Sequence, residues 1–213
     1  NNDFVFKSNL PKEISNKVLS ANIGDVFGPY EDNGYYKLSK VVALKKMPDS
    51  VTASHILIPF VGLRSAGADV KQTEIEAKKT ADSILSVVKR NKSKFTALAK
   101  EFSSDKSNSD KGGKLDWFAY DAMVPEFRDY TFSNKKGAMG IVKTAFGFHI
   151  IKIDDQKDYS NAVQLATLSR QIVPSVTTEN DFYQNAETFA SEISKGANFD
   201  DVAKEKGYKV AYG

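Results

Sequence analysis

Two histidines are the only imidazoles in 213 residues, and each closes a strand-like apolar motif. His55 lies in Ala53-Ser54-His55-Ile56-Leu57-Ile58, and His149 in Thr144-Ala145-Phe146-Gly147-Phe148-His149-Ile150-Ile151-Lys152-Ile153. A strand has a side-chain period of two, so His55 shares a face with Ala53 and Leu57, and His149 with Ile151 and Ile153. An imidazole on an apolar face needs a hydrogen-bond partner, because an unpaired buried polar group costs about 1–3 kcal/mol. If the two strands are neighbours, each ring can satisfy the other. Taken alone, such a pair reads as two satisfied core histidines. A two-histidine metal site fits poorly, since no third ligand lies at a convincing spacing and there is no cysteine.

The elements that would position the pair can be read from periodicity. Residues 51–58 form a β-branched strand. Residues 73–90 follow with Ala77, Ala81, Ile84, Leu85 and Val88 on one helical face. Phe95, Leu98, Ala99 and Phe102 predict a second, short helix beginning near Ser93. A polar loop over 103–114 carries Gly112-Gly113 and leads into a short strand at 115–118. Pro125 suits the first turn of another helix, where its missing N–H costs nothing. Two strands then meet at the turn before Gly147. The order β-α-α-β-α-β-β predicts an α+β domain with antiparallel pairing.

Two polar stretches, 45–50 and 154–161, divide the chain into pieces 1–46, 47–155 and 160–213. The flanks echo the centre. Residues 3–41 lie without a gap on 116–154, pairing Ile14 with Phe127, Leu19 with Phe132, Leu38 with Ile151 and Gly34 with Gly147. The first piece thus reads as the second half of a unit, with Tyr36 in the place of His149. The last piece reads as a first half: a strand near 163–173, a helix carrying Ala186, Phe189, Ala190 and Ile193, then Phe199, Val202 and Ala203, with Thr167 in the place of His55.

Composition excludes several functions. With 41% hydrophobic and 27% charged residues, the chain is that of a folded globular protein. A net charge of +3 is too mild for a nucleic-acid binder, and the lysines between 78 and 100 have no interleaved aromatics on which bases could stack. No run reaches the ~18 apolar residues of a membrane span, so no membrane contact is expected of this stretch. A chain that opens at Asn1 without a leader reads as an excised fragment or a mature form.

The runs Ala53-Ser54-His55-Ile56-Leu57, Phe95-Thr96-Ala97-Leu98-Ala99, Ser103-Ser104-Asp105, Gly112-Gly113-Lys114-Leu115-Asp116-Trp117-Phe118, Met123-Val124-Pro125-Glu126-Phe127 and Phe146-Gly147-Phe148-His149-Ile150-Ile151 together resemble the parvulin-type peptidyl-prolyl cis/trans isomerases. Each run is weak; six in order at matching spacing are specific. The resemblance covers about residues 50–154. It implies a four-stranded antiparallel sheet wrapped by helices, flanked here by two partial parvulin-like or chaperone segments. It implies a catalytic set of His55, Asp105, Thr144 and His149. Leu115, Met123 and Phe127 would cup a proline ring, with Phe118 and Phe146 at the margin. The family's usual Gly-Asp-Leu-Gly is Gly113-Lys114-Leu115-Asp116 here, which puts the local turn in question.

Outside that motif, Met123 and Phe127 would read as core and Asp105 as a turn residue. The reaction implied is rotation about X–Pro bonds in unfolded or nascent polypeptides. It makes and breaks no bond to another atom, so no cofactor and no metal is expected. The loop at 59–73 carries Arg64 and Lys71 but no tight basic cluster, so selectivity for phosphorylated residues before proline is not expected. One full unit beside relatives without histidine resembles bacterial envelope folding factors of the SurA and PpiD kind. That implies the periplasm or cell envelope, with any membrane anchor outside these residues. The alternative is a holdase that grips extended apolar segments with little or no catalysis. Half units also leave strand edges open to exchange between chains or to homo-oligomer formation.

Overall fold

The computed structural model describes residues 3–64, 66–67 and 69–211. Ser65 and Ala68, within the 59–73 loop considered above, lie outside the described residues. In chain order the strands are β1 (Val5–Phe6), β2 (Val26–Asp32), β3 (Tyr35–Ile58), β4 (Phe118–Ala119), β5 (Met139–Thr144) and β6 (Gly147–Gln171). The α-helices are α1 (Ser15–Val18), α2 (Glu74–Arg90), α3 (Phe95–Phe102), α4 (Pro125–Ser133), α5 (Val176–Ser194) and α6 (Phe199–Glu205). Two compact units result: Asn1–Phe27 with Ser39–Ala166, and Gly28–Leu38 with Thr167–Gly213.

In the first unit, β3 and β6 lie side by side, β4 pairs antiparallel with β3, and β5 pairs antiparallel with β6. These four strands with α2, α3 and α4 are the α+β arrangement expected from the sequence. The short β1 adds to the far part of β6, through Val5↔Val163 and Phe6↔Ala162. Strand alternation sorts the apolar residues into two clusters. Ile56, Ile58, Phe148 and Ile150 pack against Ala77, Ala81, Ile84 and Val88 of α2 and Phe95 and Ala99 of α3. Val51, Ala53, Ile151 and Ile153 pack with Phe118, Phe127 and Phe132. His55 and His149 are in phase with this second set, as a period of two requires.

Local chemistry sets the helix ends. Thr73 caps α2, its Oγ1 accepting the Glu76 N–H while Glu76 Oε2 accepts the Thr73 N–H. This reciprocal capping box stabilises the helix start by about 1 kcal/mol. Pro125 occupies the first turn of α4, where it forfeits no bond.

Two readings need correction. The polar stretches 45–50 and 154–161 are not breaks: they run inside β3 and β6, 24 and 25 residues long. Met47, fully buried in one cluster with Ile153 and Ala162, holds the extension together, while Lys46 and Asp49 are exposed. Composition marks polarity, but a half-exposed strand is polar on one face. The strand expected at 115–118 is also displaced. Leu115 donates its N–H to the Ala53 carbonyl and Lys114 forms an isolated bridge with Ser54, whereas the ladder proper is β4 at Phe118–Ala119.

The second unit holds the tip of the β2–β3 hairpin, the end of β6, and α5 with α6. Ile172 donates its N–H to the Gly34 carbonyl. Phe189 packs edge-on against Phe199 and Tyr208. No residue of α5 is buried.

Candidate active site

His55 and His149, 94 residues apart, meet across β3 and β6. Their rings lie nearly parallel, with 14° between planes and centroids 5.3 Å apart, and the two Nδ1 atoms face each other at 3.1 Å. Each residue is only 5% exposed. His55 Nε2 lies 2.9 Å from Asp105 Oδ2, and Thr144 Oγ1 lies 2.9 Å from His149 Nε2. All four residues assigned to catalysis from the sequence therefore form one connected network.

The protonation of that network follows from its ends. Burial lowers the pKa of His55, against the opposing pull of Asp105. Burial, reinforced by the neighbouring His55, lowers that of His149 to about 3, so both rings are neutral at pH 7. Burial alone would raise Asp105, but hydrogen bonds from Ser107, His55 and Asn108 outweigh it and hold the carboxyl below its usual range. An ionised carboxylate only accepts. His55 must then donate from Nε2, which leaves its Nδ1 to accept. His149 must donate from Nδ1, which leaves its Nε2 to accept from the Thr144 hydroxyl. The Phe146 N–H closes the chain by donating to Thr144 Oγ1 at 3.0 Å. Each group between Phe146 and Asp105 donates once along the line, and the one formal charge sits at its end.

Asp105 does two jobs with its two oxygens. Oδ1 accepts the Ser107 N–H at 3.1 Å and the Ser107 hydroxyl at 2.6 Å, the local turn that its setting suggested. Oδ2 accepts from His55 and, at 2.6 Å, from Asn108 Nδ2. A carboxylate so saturated is a poor nucleophile. Loop 103–114 is tied to the sheet beside it: Ser103 Oγ accepts the Leu57 N–H, and Ser104 donates its N–H to the Leu57 carbonyl. Asn108 and Ser107 were not singled out from the sequence, and Ser103 only as part of the run that ends at Asp105. The alternation of Ser and Asn with Asp105 was the available signal, since such side chains bond locally in turns.

The apolar residues divide. Leu115 and Met123, both half-buried, pack with Phe118 and Phe127 in the second apolar cluster. The Phe127 ring stands edge-on to both imidazoles, at 5.7 Å and 87° from His55 and 5.5 Å and 81° from His149. Phe118 lies behind it, at 6.1 Å, as a buried wall. Phe146 does not join this cluster. Its ring is 43% exposed, and its tie to the network is through its backbone N–H.

The departure at Gly113-Lys114-Leu115-Asp116 leaves the turn intact. Gly113 has φ of +73°, and a Cβ there would run into the His55 carbonyl. In exchange, the Gly113 carbonyl accepts the His55 N–H at 2.9 Å. Asp116 is not among the residues of positive φ, so no glycine is needed there. Gly113→Ala should therefore cost at least about 2 kcal/mol in urea unfolding, from the left-handed penalty plus the displaced His55 backbone. A loss below a few tenths would contradict this geometry.

Among the described residues no group of three or more His, Cys, Asp or Glu is placed to hold a metal ion, and no helix is long and apolar enough to cross a membrane.

Residues 36–157 match the family of PPIC-type PPIase domains. Among curated proteins, the chain is similar to the chaperone SurA of Yersinia pestis, 25% identical over 186 residues, covering 86% of this chain and 41% of SurA. It is 28% identical over 158 residues to the chaperone SurA of Escherichia coli O157:H7, covering 73% of this chain and 36% of that protein. The chain thus spans about two-fifths of the length of these relatives. Among solved structures, PrsA of Bacillus subtilis aligns at 34% identity over 52% of this chain and 36% of its own, with a TM-score of 0.40. The family match spans more than half of the sequence and contains both histidines, Asp105 and Thr144. The chain belongs to the family of PPIC-type PPIase domains.

Proposed function

We propose that the chain accelerates cis/trans rotation about X–Pro bonds in unfolded polypeptides, at the surface formed by the histidine pair, Phe127, Leu115 and Met123. The observation that carries this reading is the one-directional hydrogen-bond line from Phe146 to Asp105, its two imidazoles neutral, set against an apolar wall. Rotation of an amide is opposed by a resonance barrier of roughly 18–20 kcal/mol. Catalysis requires only that the twisted amide be bound better than either planar form. Leu115, Met123 and Phe127 hold the prolyl ring and exclude water. Removing water from the carbonyl disfavours the charge-separated resonance form that gives the C–N bond its double-bond character. The imidazoles fix the floor of the site and keep it uncharged, while Asp105, its lone pairs engaged, orients His55 without attacking the substrate. An envelope location, with unfolded clients as partners, belongs to the same proposal.

A prolyl-peptide exchange assay tests it. The wild type should accelerate exchange, and Met123→Ala should lower kcat/KM roughly tenfold, the effect of about one lost apolar contact on the prolyl ring. Exchange at the uncatalysed rate with folded protein would sink the proposal.

A second reading, a holdase for extended apolar segments, draws on the second unit, where Leu168, Val173, Val176, Phe182 and Tyr183 are exposed. Such a surface fits binding rather than rotation. We also read pieces 1–46 and 160–213 as the second and first halves of a parvulin-like unit. In the central piece, Phe118↔Val51 and Ala119↔Ser50 join β4 to β3. Val5↔Val163 and Phe6↔Ala162 join the flanks in the same register, the first partners 113 residues earlier and the second 112 later. The flanks thus pair within one chain along β1 and β6.

A further inference from the structure

Asn108 sits at the end of the network and is 6% exposed. Its backbone is pinned, the carbonyl accepting the Lys111 N–H at 2.9 Å and the Gly113 N–H at 3.0 Å. It precedes the short 3-10 turn Ser109–Lys111, yet its side chain makes no capping bond there. The amide instead turns inward. Nδ2 lies 2.6 Å from Asp105 Oδ2, 3.4 Å from Ser107 Oγ and 3.2 Å from His55 Nε2. Its Oδ1 is a buried side-chain atom without a hydrogen-bond partner, the single such case among the described residues.

That pairing of one short bond with one orphan acceptor is informative. Turning the amide over would put its oxygen where Nδ2 now lies, 2.6 Å from a carboxylate oxygen. Two acceptors cannot share that distance while Asp105 is ionised. The amide therefore faces its nitrogen to the carboxylate and leaves its oxygen unsatisfied, at the desolvation cost of a buried carbonyl. The 3.2 Å approach to His55 Nε2 is then donor facing donor, because that nitrogen carries the proton given to Asp105. Asn108 consequently crowds His55 Nε2 without bonding to it, and binds the oxygen that His55 also binds.

We propose that Asn108 is a positioning residue for the histidine pair: through Nδ2 it locks Asp105 Oδ2 onto His55 Nε2 and so selects which ring nitrogens carry protons. Ser107 already holds Oδ1, and Asn108 supplies the second point that stops the carboxylate from rotating away from His55. With the carboxylate free to turn, His55 no longer has to donate from Nε2, and the order of donors from Thr144 to Asp105 is lost. The consequence for rate rests on the isomerase reading above; the consequence for the ring nitrogens does not.

The test compares wild type with Asn108→Leu, similar in size but without donor or acceptor, and with Asn108→Ala. Ring-nitrogen NMR shifts of His55 and His149 report the tautomers, and circular dichroism reports the fold. In the wild type His55 should show Nε2–H and His149 Nδ1–H. In Asn108→Leu both rings should move toward mixed tautomers. In exchange kinetics, kcat should fall roughly tenfold with KM little changed, since the apolar wall is untouched. Unchanged ring-nitrogen shifts in a folded variant would overturn the proposal; should Asn108→Leu fail to fold, Asn108→Ala gives the same readout. A wild type that catalyses nothing while the ring shifts still respond to substitution would refute the isomerase reading and uphold the positioning role.

Discussion

Acid should destabilise this chain through His149, and replacing His149 should flatten the response. The folded pKa of about 3 lies below the ordinary value of 6.5 recovered on unfolding. Between those two values the unfolded state binds more protons, so stability rises with pH across the window and is lost as pH falls through it. The slope approaches about 1.4 kcal/mol per pH unit well below pH 6.5, which amounts to about 2 kcal/mol between pH 6.5 and pH 4.5. His55 acts in the same direction, its pKa also lowered by burial. Asp105 adds stability that is present above its ordinary pKa and lost as pH falls through the lowered one, so it sharpens the loss at the acid end. Urea midpoints at a series of pH values would show the slope. His149→Leu should be less stable at pH 7, because the Nδ1 of His55 loses its donor, and yet less sensitive to acid. A variant that keeps the wild-type slope would show that the imidazole is not the group taking up the proton.

Phe127→Ala should be the most damaging single substitution in the site. The ring is 3% exposed and stands edge-on to both histidines, with Phe118 behind it. Truncating such a ring costs about 3–5 kcal/mol, part of it for the cavity left behind. It also removes the wall that keeps water from the imidazoles, so exchange kinetics should fall along with the urea midpoint. Phe127→Leu separates the two effects. It retains most of the apolar volume and forfeits mainly the edge contacts, worth about 0.5–1.5 kcal/mol each. Stability lost by less than 1 kcal/mol in Phe127→Ala would mean that the ring does not seal the pair.

Much of this site was legible in the chain itself. The alternation around Ala53 and Ile151 placed each histidine on its sheet face, since strand periodicity is a property of adjacent residues. Helical spacing placed α2 and α3, and Pro125 marked the start of α4. The polar stretch at Pro48 misled, because its charged residues outweighed the buried Met47, which clusters with Ile153 and Ala162 more than 100 residues away. Asp105 was ambiguous between turn and site for a reason the structure supplies: one carboxylate oxygen bonds within the loop and the other bonds His55.

What the sequence could not contain is direction. Periodicity says which face a side chain takes, but not which nitrogen meets which oxygen. The distances that order the protons span 94 residues from His55 to His149, 50 from His55 to Asp105 and 53 from His55 to Asn108. They depend on the register of β3 against β6 and on how loop 103–114 is tied to Leu57. Strand spacing singled out the imidazoles, and the resemblance of six short runs to the parvulins singled out the threonine and the apolar wall. Only tertiary packing, by burying the rings beside an ionised carboxylate saturated with donors, made the pair neutral and gave its hydrogen bonds one sense.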